Sequence, residues 1–194
     1  MDRFRILEHS STPKIVMRIC VIGRGTVYID NHRIHFDHDR CNVKVYEQGY
    51  FLLIRFTDLE DNDCISALSL DIHPVSYISD IEASEQATCI INSSRLIRGP
   101  LLKFTAYRDA SIQFNDDAMF ERVSIDCSTG SIMRTNNTTI MAESAFIRCY
   151  DSEVNMRLFS SGALGGYRNE GAVLILPGLV QRVFNRIWNA LTSR

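Results

Sequence analysis

The segment ERVSIDCSTGSIMRTNNTTIMAESAFIRCYDSEVNMR, residues 121–157, repeats itself. Ile125, Cys127 and Ile132 in its first half answer to Ile147, Cys149 and Val154 in its second, each 22 residues further on. A strand, a small polar turn and a further apolar residue at one fixed offset is the pattern of a stacking unit. Each unit buries its inward side chains on those of its neighbours. The stretches ATCIINSSRLIR, FTAYRDASIQF, VSIDCSTGSIMR and AFIRCYDSEVNMR can be laid under one another in the same way. The register predicts a ladder of small thiols, Cys89, Cys127 and Cys149, with Ala106 or Tyr107 in the remaining rung. The expected fold is mainly β: a short β-solenoid-like body of coils of ~20–22 residues. The alternative is a β-sandwich whose hairpins share a length.

Strand signals also dominate upstream. KIVMRICVI, TVYID, RIHF, NVKVYE, YFLLIRF and CISALSLDI are rich in Val, Ile, Tyr and Phe, often alternating. Turn chemistry separates them, with Gly23 to Gly25, Asp30-Asn31 and Gln48-Gly49 as examples. The organisation expected is a β-rich body over residues 1–176, most repetitive over 85–160, followed by a different C-terminal segment over 177–194. Residues 1–60 either continue the coil or form a separate antiparallel sheet.

The alternation of GTVYIDNHRIHF, and later of ASIQF, VSIDCSTGSI and AFIRCYDSEVNM, resembles the GIN-type head domain of autotransporter adhesins. The resemblance covers roughly residues 20 to 160 and rests on turn grammar and alternation. It implies a β-solenoid of the kind carried by exported bacterial proteins, with no catalytic residues to transfer.

The tail is of another kind. Pro177-Gly178 breaks a short strand, and LVQRVFNRIWNALTSR follows. Leu179, Val180, Val183, Phe184, Ile187, Trp188 and Leu191 recur at helical spacing as one apolar stripe, opposite Gln181, Arg182, Asn185, Arg186 and Asn189. This predicts an amphipathic helix, serving as a docking face for protein subunits or as a cap over an open sheet edge. A membrane surface is the weaker alternative, suggested by Arg182, Arg186 and Arg194 beside Trp188.

The totals narrow the function classes. The 194 residues suit one domain, or one domain with an appendage, and a formal charge of −2 supplies no global field for nucleic acid. Arg95 and Arg98 are the nearest approach to a basic patch, so no nucleic-acid partner is expected. No apolar run is long enough for a spanning helix. The N-terminus MDRFRILEHSSTPKIVMRIC lacks the form of a secretory signal, so a cytoplasmic or intracellularly assembled setting is expected. The six cysteines contain no CxxC pair and mostly sit in apolar runs, as small buried hydrophobes do. On the same footing, the sequons at Asn92, Asn136 and Asn137 read as turn residues.

Chemistry-bearing groups are sparse. The densest is DNHRIHFDHD, whose His32, His35, Asp37 and His38 are weak metal candidates. Strand alternation instead sends Ile34 and Phe36 inward and His35 and Asp37 to solvent. No G-x-S-x-G elbow or Cys–His neighbourhood is present, and Asp116-Asp117 and the Glu60 to Asp63 acids fall in apparent turns. The expectation is therefore a non-enzymatic structural or assembly protein without cofactors, a subunit of a larger complex such as a minor virion or shell component. Its partners would be protein subunits, its own copies or others, met through the C-terminal stripe and the β faces. The alternative is a surface or ligand-binding module of the adhesin-head type.

Overall fold

A computed structural model describes residues 5–6, 13–37, 42–57, 69–73, 76–92, 101–136, 138–155, 158–160, 164–168 and 173–175. Within them the chain is mainly β, and the strands form two mixed sheets. In chain order these are β1 (Arg5–Ile6), β2 (Arg18–Ile22), β3 (Thr26–Ile29), β4 (Arg33–Asp37), β5 (Asn42–Gln48) and β6 (Phe51–Thr57). Next come β7 (Ser69–Asp71), β8 (Asp80–Ser84), β9 (Thr88–Ile91), β10 (Leu101–Tyr107), β11 (Ser111–Phe114) and β12 (Ala118–Ser128). The last are β13 (Ile132–Thr135), β14 (Ile140–Tyr150), β15 (Glu153–Asn155), β16 (Leu158–Ser160), β17 (Leu164–Arg168) and β18 (Val173–Ile175).

From β8 to β16 the chain alternates between the sheets. The first sheet orders its strands β1-β5-β6-β2-β8-β10-β12-β14-β16, with β17 also on β14. The second runs β18-β15-β13-β11-β9-β3-β4-β7. Every pairing among β8 to β18 is parallel. In the first sheet Ala83 faces Ala106, Ala106 faces Cys127 and Cys127 faces Cys149, steps of 23, 21 and 22 residues. Strands β2 and β3 join the same two stacks from much further away: Val21 faces Ala83 and Val27 faces Cys89, both 62 residues on. The intervening chain adds antiparallel pairings at β3–β4, β4–β7 and β5–β6, so residues 18–57 contribute to both sheets.

Alternation makes the core. Leu102, Phe104 and Ala106 point inward from β10, Ile112 and Phe114 from β11, and Val123, Ile125 and Cys127 from β12, all buried. Phe104 and Phe114 meet edge to face at 4.7 Å between centroids and 83°, joining the two sheets across the interior. In β12 the alternation breaks once, with Phe120 and Val123 buried and Glu121 and Arg122 both exposed. β14 repeats the break at Glu143 and Ser144.

The turns that swing the chain from first to second sheet are stacked as well. Glu85-Gln86, Arg108-Asp109 and Thr129-Gly130 are each two successive residues with positive φ, followed by buried Ala87, Ala110 and Ser131. Left-handed backbone disfavours side-chain-bearing residues by roughly 1 kcal/mol or more apiece. Bonds between rungs hold them there: Gln86 N–H donates to Arg108 O at 2.9 Å, and Asp109 N–H to Thr129 O at 2.9 Å. The Ser131 and Ser152 hydroxyls donate to Ala106 O and Cys127 O, both at 2.9 Å.

Two sequence expectations are corrected by this geometry. Ile132 does not stack on Val154: it faces Glu153 and is 38% exposed, while Met133 faces Val154 in the core. The turn after β14 has a single left-handed residue, Asp151, where the turn after β12 has two. One residue fewer reverses which side chain points inward. Cys89 also leaves the thiol ladder. It lies in the second sheet between Val27 and Ile112, and Ala106 is the residue in register with Cys127. The stripe from Leu179 to Leu191 lies outside the described residues.

Candidate interaction surface

The outward face of the first sheet is built by the residues that alternate with the core. Three columns cross the strands in register. One runs Arg18, Asp80, Lys103, Ser124, Phe146, and the next Cys20, Glu82, Thr105, Asp126, Arg148. The third runs Ile22, Ser84, Tyr107, Ser128, Tyr150. Toward β2 and β8 this face is closed by ion pairs. Arg18 reaches Asp80 at 3.2 Å and Glu82 at 3.1 Å, its guanidinium sits over the Phe51 ring, and the Tyr107 hydroxyl donates to Glu82 at 2.9 Å. Toward β14 it opens. Arg148 pairs with Asp126, but Phe146 and Tyr150 flank that pair at 51% and 50% exposure, and Met141 stands exposed beyond the break in β14. Large apolar side chains at that exposure on one strand mark an interaction surface more readily than scattered ones.

The strand ends of the second sheet carry a different ordered feature, just after β3, β9, β11 and β13. Asn136 Nδ2 donates to Asn115 Oδ1 at 3.1 Å, Asn115 Nδ2 to Asn92 Oδ1 at 2.9 Å, and Asn92 Nδ2 to Asp30 Oδ1 at 2.9 Å. The amides all point the same way along the stack and end on a carboxylate, an arrangement in which successive bonds polarise one another. Gln113 adds a donor to Asn115 at 2.9 Å and accepts from Arg134 at 2.8 Å. Two sequons, at Asn92 and Asn136, are thereby rungs of a ladder. Sequence reasoning did not find it, although the spacings Asn92 to Asn115 and Asn115 to Asn136 match those of the strands.

The histidine group resolves as alternation predicts. Ile34 and Phe36 are buried, while His35 and Asp37 lie on the solvent side. His35 Nε2 lies 3.0 Å from Asp30 Oδ2, and Arg33 Nε lies 2.6 Å from Asp71 Oδ1. These residues, with His32 and Asn92, line an open groove of about 690 Å³. Among the described residues no three His, Cys, Asp or Glu side chains converge as a metal would require; His38 lies outside them. The acids at Asp116 and Asp117 serve the local backbone: Asp116 Oδ1 accepts from Asp117 N–H at 3.0 Å, and Asp117 Oδ1 from Thr139 N–H at 2.6 Å.

The cysteines are placed for packing. Cys20, Cys89, Cys127 and Cys149 are buried thiols outside any disulfide. Burial pushes the thiols of Cys20, Cys89 and Cys127 up to about 12, so little nucleophilic thiolate forms near neutrality. Cys41, Cys64, Arg95, Arg98 and the Glu60 to Asp63 acids lie outside the described residues. No protein-family model, curated protein or solved structure matches this chain.

Proposed function

We propose that this chain is a non-enzymatic structural protein, a subunit that assembles with other protein subunits into a larger complex such as a shell or virus particle. The observation that carries the reading is the partly apolar outward face of the first sheet, where Phe146 and Tyr150 stand half exposed around the Arg148–Asp126 pair. Parallel pairing at nearly constant offsets favours reading the body as a short β-solenoid. Such a body is rigid and presents flat faces, which suits a building block. The apolar stripe of Leu179, Val180, Val183, Phe184, Ile187, Trp188 and Leu191 is the second docking element.

Light scattering tests this reading on the full chain. The parent is expected to run as an oligomer, or to join one with its partner, and Phe184→Asp to run as a folded single chain. A parent that stays a single chain at all concentrations, and that no protein partner binds, would overturn it. A surface or ligand-binding module of the adhesin-head type is the second reading, favoured by the open groove at Asp30, His32 and Arg33. Binding to glycans that is lost in Arg33→Ala, by a chain that remains a monomer, would select it.

A further inference from the structure

The first-sheet strands β6, β2, β8, β10, β12 and β14 all run parallel and in register, so their outward side chains form level columns. The three columns described above reach β6 at Phe51, Leu53 and Arg55, and end on β14 at Phe146, Arg148 and Tyr150. Large apolar groups stand at both ends of this face. Tyr50, just before Phe51, is 57% exposed, and Phe146 and Tyr150 are half exposed at the other end. Between the ends lies a band of both charges, with Arg18, Asp80, Glu82 and Lys103. Arg18 is held by Asp80 and Glu82, whereas Lys103 is exposed and has no ion-pair partner among the described residues.

A polyanion or an anionic lipid surface would meet repulsion from half of that band. A second copy of the same face would not. A two-fold axis parallel to the strands, midway between β8 and β10, lays β14 of one copy over β6 of the other and β10 over β8. Phe146 then meets Phe51 and the Arg18 guanidinium above that ring, Tyr150 meets Arg55, and Lys103 meets Asp80. Each contact occurs twice, and no like charges are opposed. An axis running across the strands would instead set the middle column on its own image. Glu82 would then face Glu82 and Arg148 face Arg148, which like-charge repulsion disfavours.

From β6 to β14 the face spans five strand spacings, or about 24 Å, and Arg122 to Ser128 extends ~23 Å. Two copies would bury roughly 1,000 Å² between them, the lower bound for a specific interface. A contact of that size is weak alone, so without the apolar stripe, as in Phe184→Asp, the pair separates at low concentration.

We propose that the occupant of this face is a second copy of the chain, seated sheet on sheet about a two-fold axis parallel to the strands. The inference rests on the assembly reading and names its partner.

Sedimentation equilibrium of the full chain over a concentration series tests it, with circular dichroism checking that each variant is folded. The parent is expected to form pairs. Phe146→Lys is expected to raise the dissociation constant roughly tenfold or more, as loss of an aromatic anchor does. Ile132→Lys, on the other sheet, is expected to leave it unchanged. Lys103→Asp and Asp80→Lys should each weaken self-pairing roughly tenfold, because each sets like charges opposite one another. Mixed in equal amounts, these two variants are expected to pair with each other about as tightly as the parent does with itself, since each supplies the charge the other lacks. Failure of the mixture to pair would overturn the proposal. An oligomer indifferent to Phe146→Lys and Lys103→Asp would overturn it and leave the assembly reading standing, as would a single chain that binds a different protein. A parent that stays a single chain and binds no protein would overturn both.

Discussion

Cys127 and Cys149 lie directly beside one another on neighbouring parallel strands, 22 residues apart in the chain, each wholly buried. The column continues through Ala106 and Ala83 to Val21, so one line of small side chains runs through the interior across five strands. Equivalent positions on stacked strands share an environment, and a bulky or charged group at one of them presses on two neighbours.

Replacement within that column is therefore expected to be costly according to charge. Cys127→Asp or Cys149→Asp should lower stability by about 3–5 kcal/mol, because the carboxylate would be buried without a partner. Cys127→Ala should cost only about 1 kcal/mol. Urea unfolding of the three variants checks the order; equal midpoints would show that the column tolerates charge.

The same burial makes the fold sensitive to alkali. The folded-state values of Cys20, Cys89 and Cys127 are raised from 9.0 to about 12, chiefly by desolvation. Above pH 9 the unfolded chain releases thiol protons that the folded chain keeps, so stability falls as pH rises. The contribution is complete below pH 9 and lost toward pH 12. Melting temperature is expected to drop steeply over that window, and less steeply in Cys89→Ala. Thiol reagents should label these cysteines in the folded protein only at the rate of unfolding.

The asparagine ladder predicts a ranking by position. Asn115 donates to Asn92 and accepts from Asn136 and Gln113, and Gln113 is itself buried. Asn115→Ala should destabilise by about 1–3 kcal/mol, because the buried Gln113 amide loses its acceptor. Asn136→Ala, at the outer end, removes a single exposed bond and should cost less than about 1 kcal/mol. A larger effect at Asn136 than at Asn115, in urea midpoints, would contradict the ladder as an energetic unit.

Gly25 tests a close approach rather than a backbone conformation. A methyl group placed there would run into the Phe56 ring. Gly25→Ala should destabilise by about 1–3 kcal/mol through overpacking. Combined with Phe56→Leu the two changes should cost less than their sum, since the smaller side chain makes room. Strict additivity in thermal melts would place the two residues out of contact.

Much of this architecture was legible in the chain. The recurrence of Ile125 and Cys127 at Ile147 and Cys149 announced parallel stacking, because equivalent residues on neighbouring strands meet the same packing requirement and so resemble each other. Alternation placed Ile34 and Phe36 inside and His35 and Asp37 outside, since a strand's side chains have a period of two. Only the tertiary structure decided register and partnership. A turn one residue shorter after β14 than after β12 moved Ile132 to solvent and Met133 into the core, a difference too small to read beside an otherwise constant offset. The partnership of Val21 with Ala83 spans 62 residues, and pairing at that range is set by the energy of the whole stack. Phe146 and Tyr150 follow the same logic. Their outward direction follows from the buried Ile147 and Cys149 between them, but what lies beside and over them depends on strands far away in the chain.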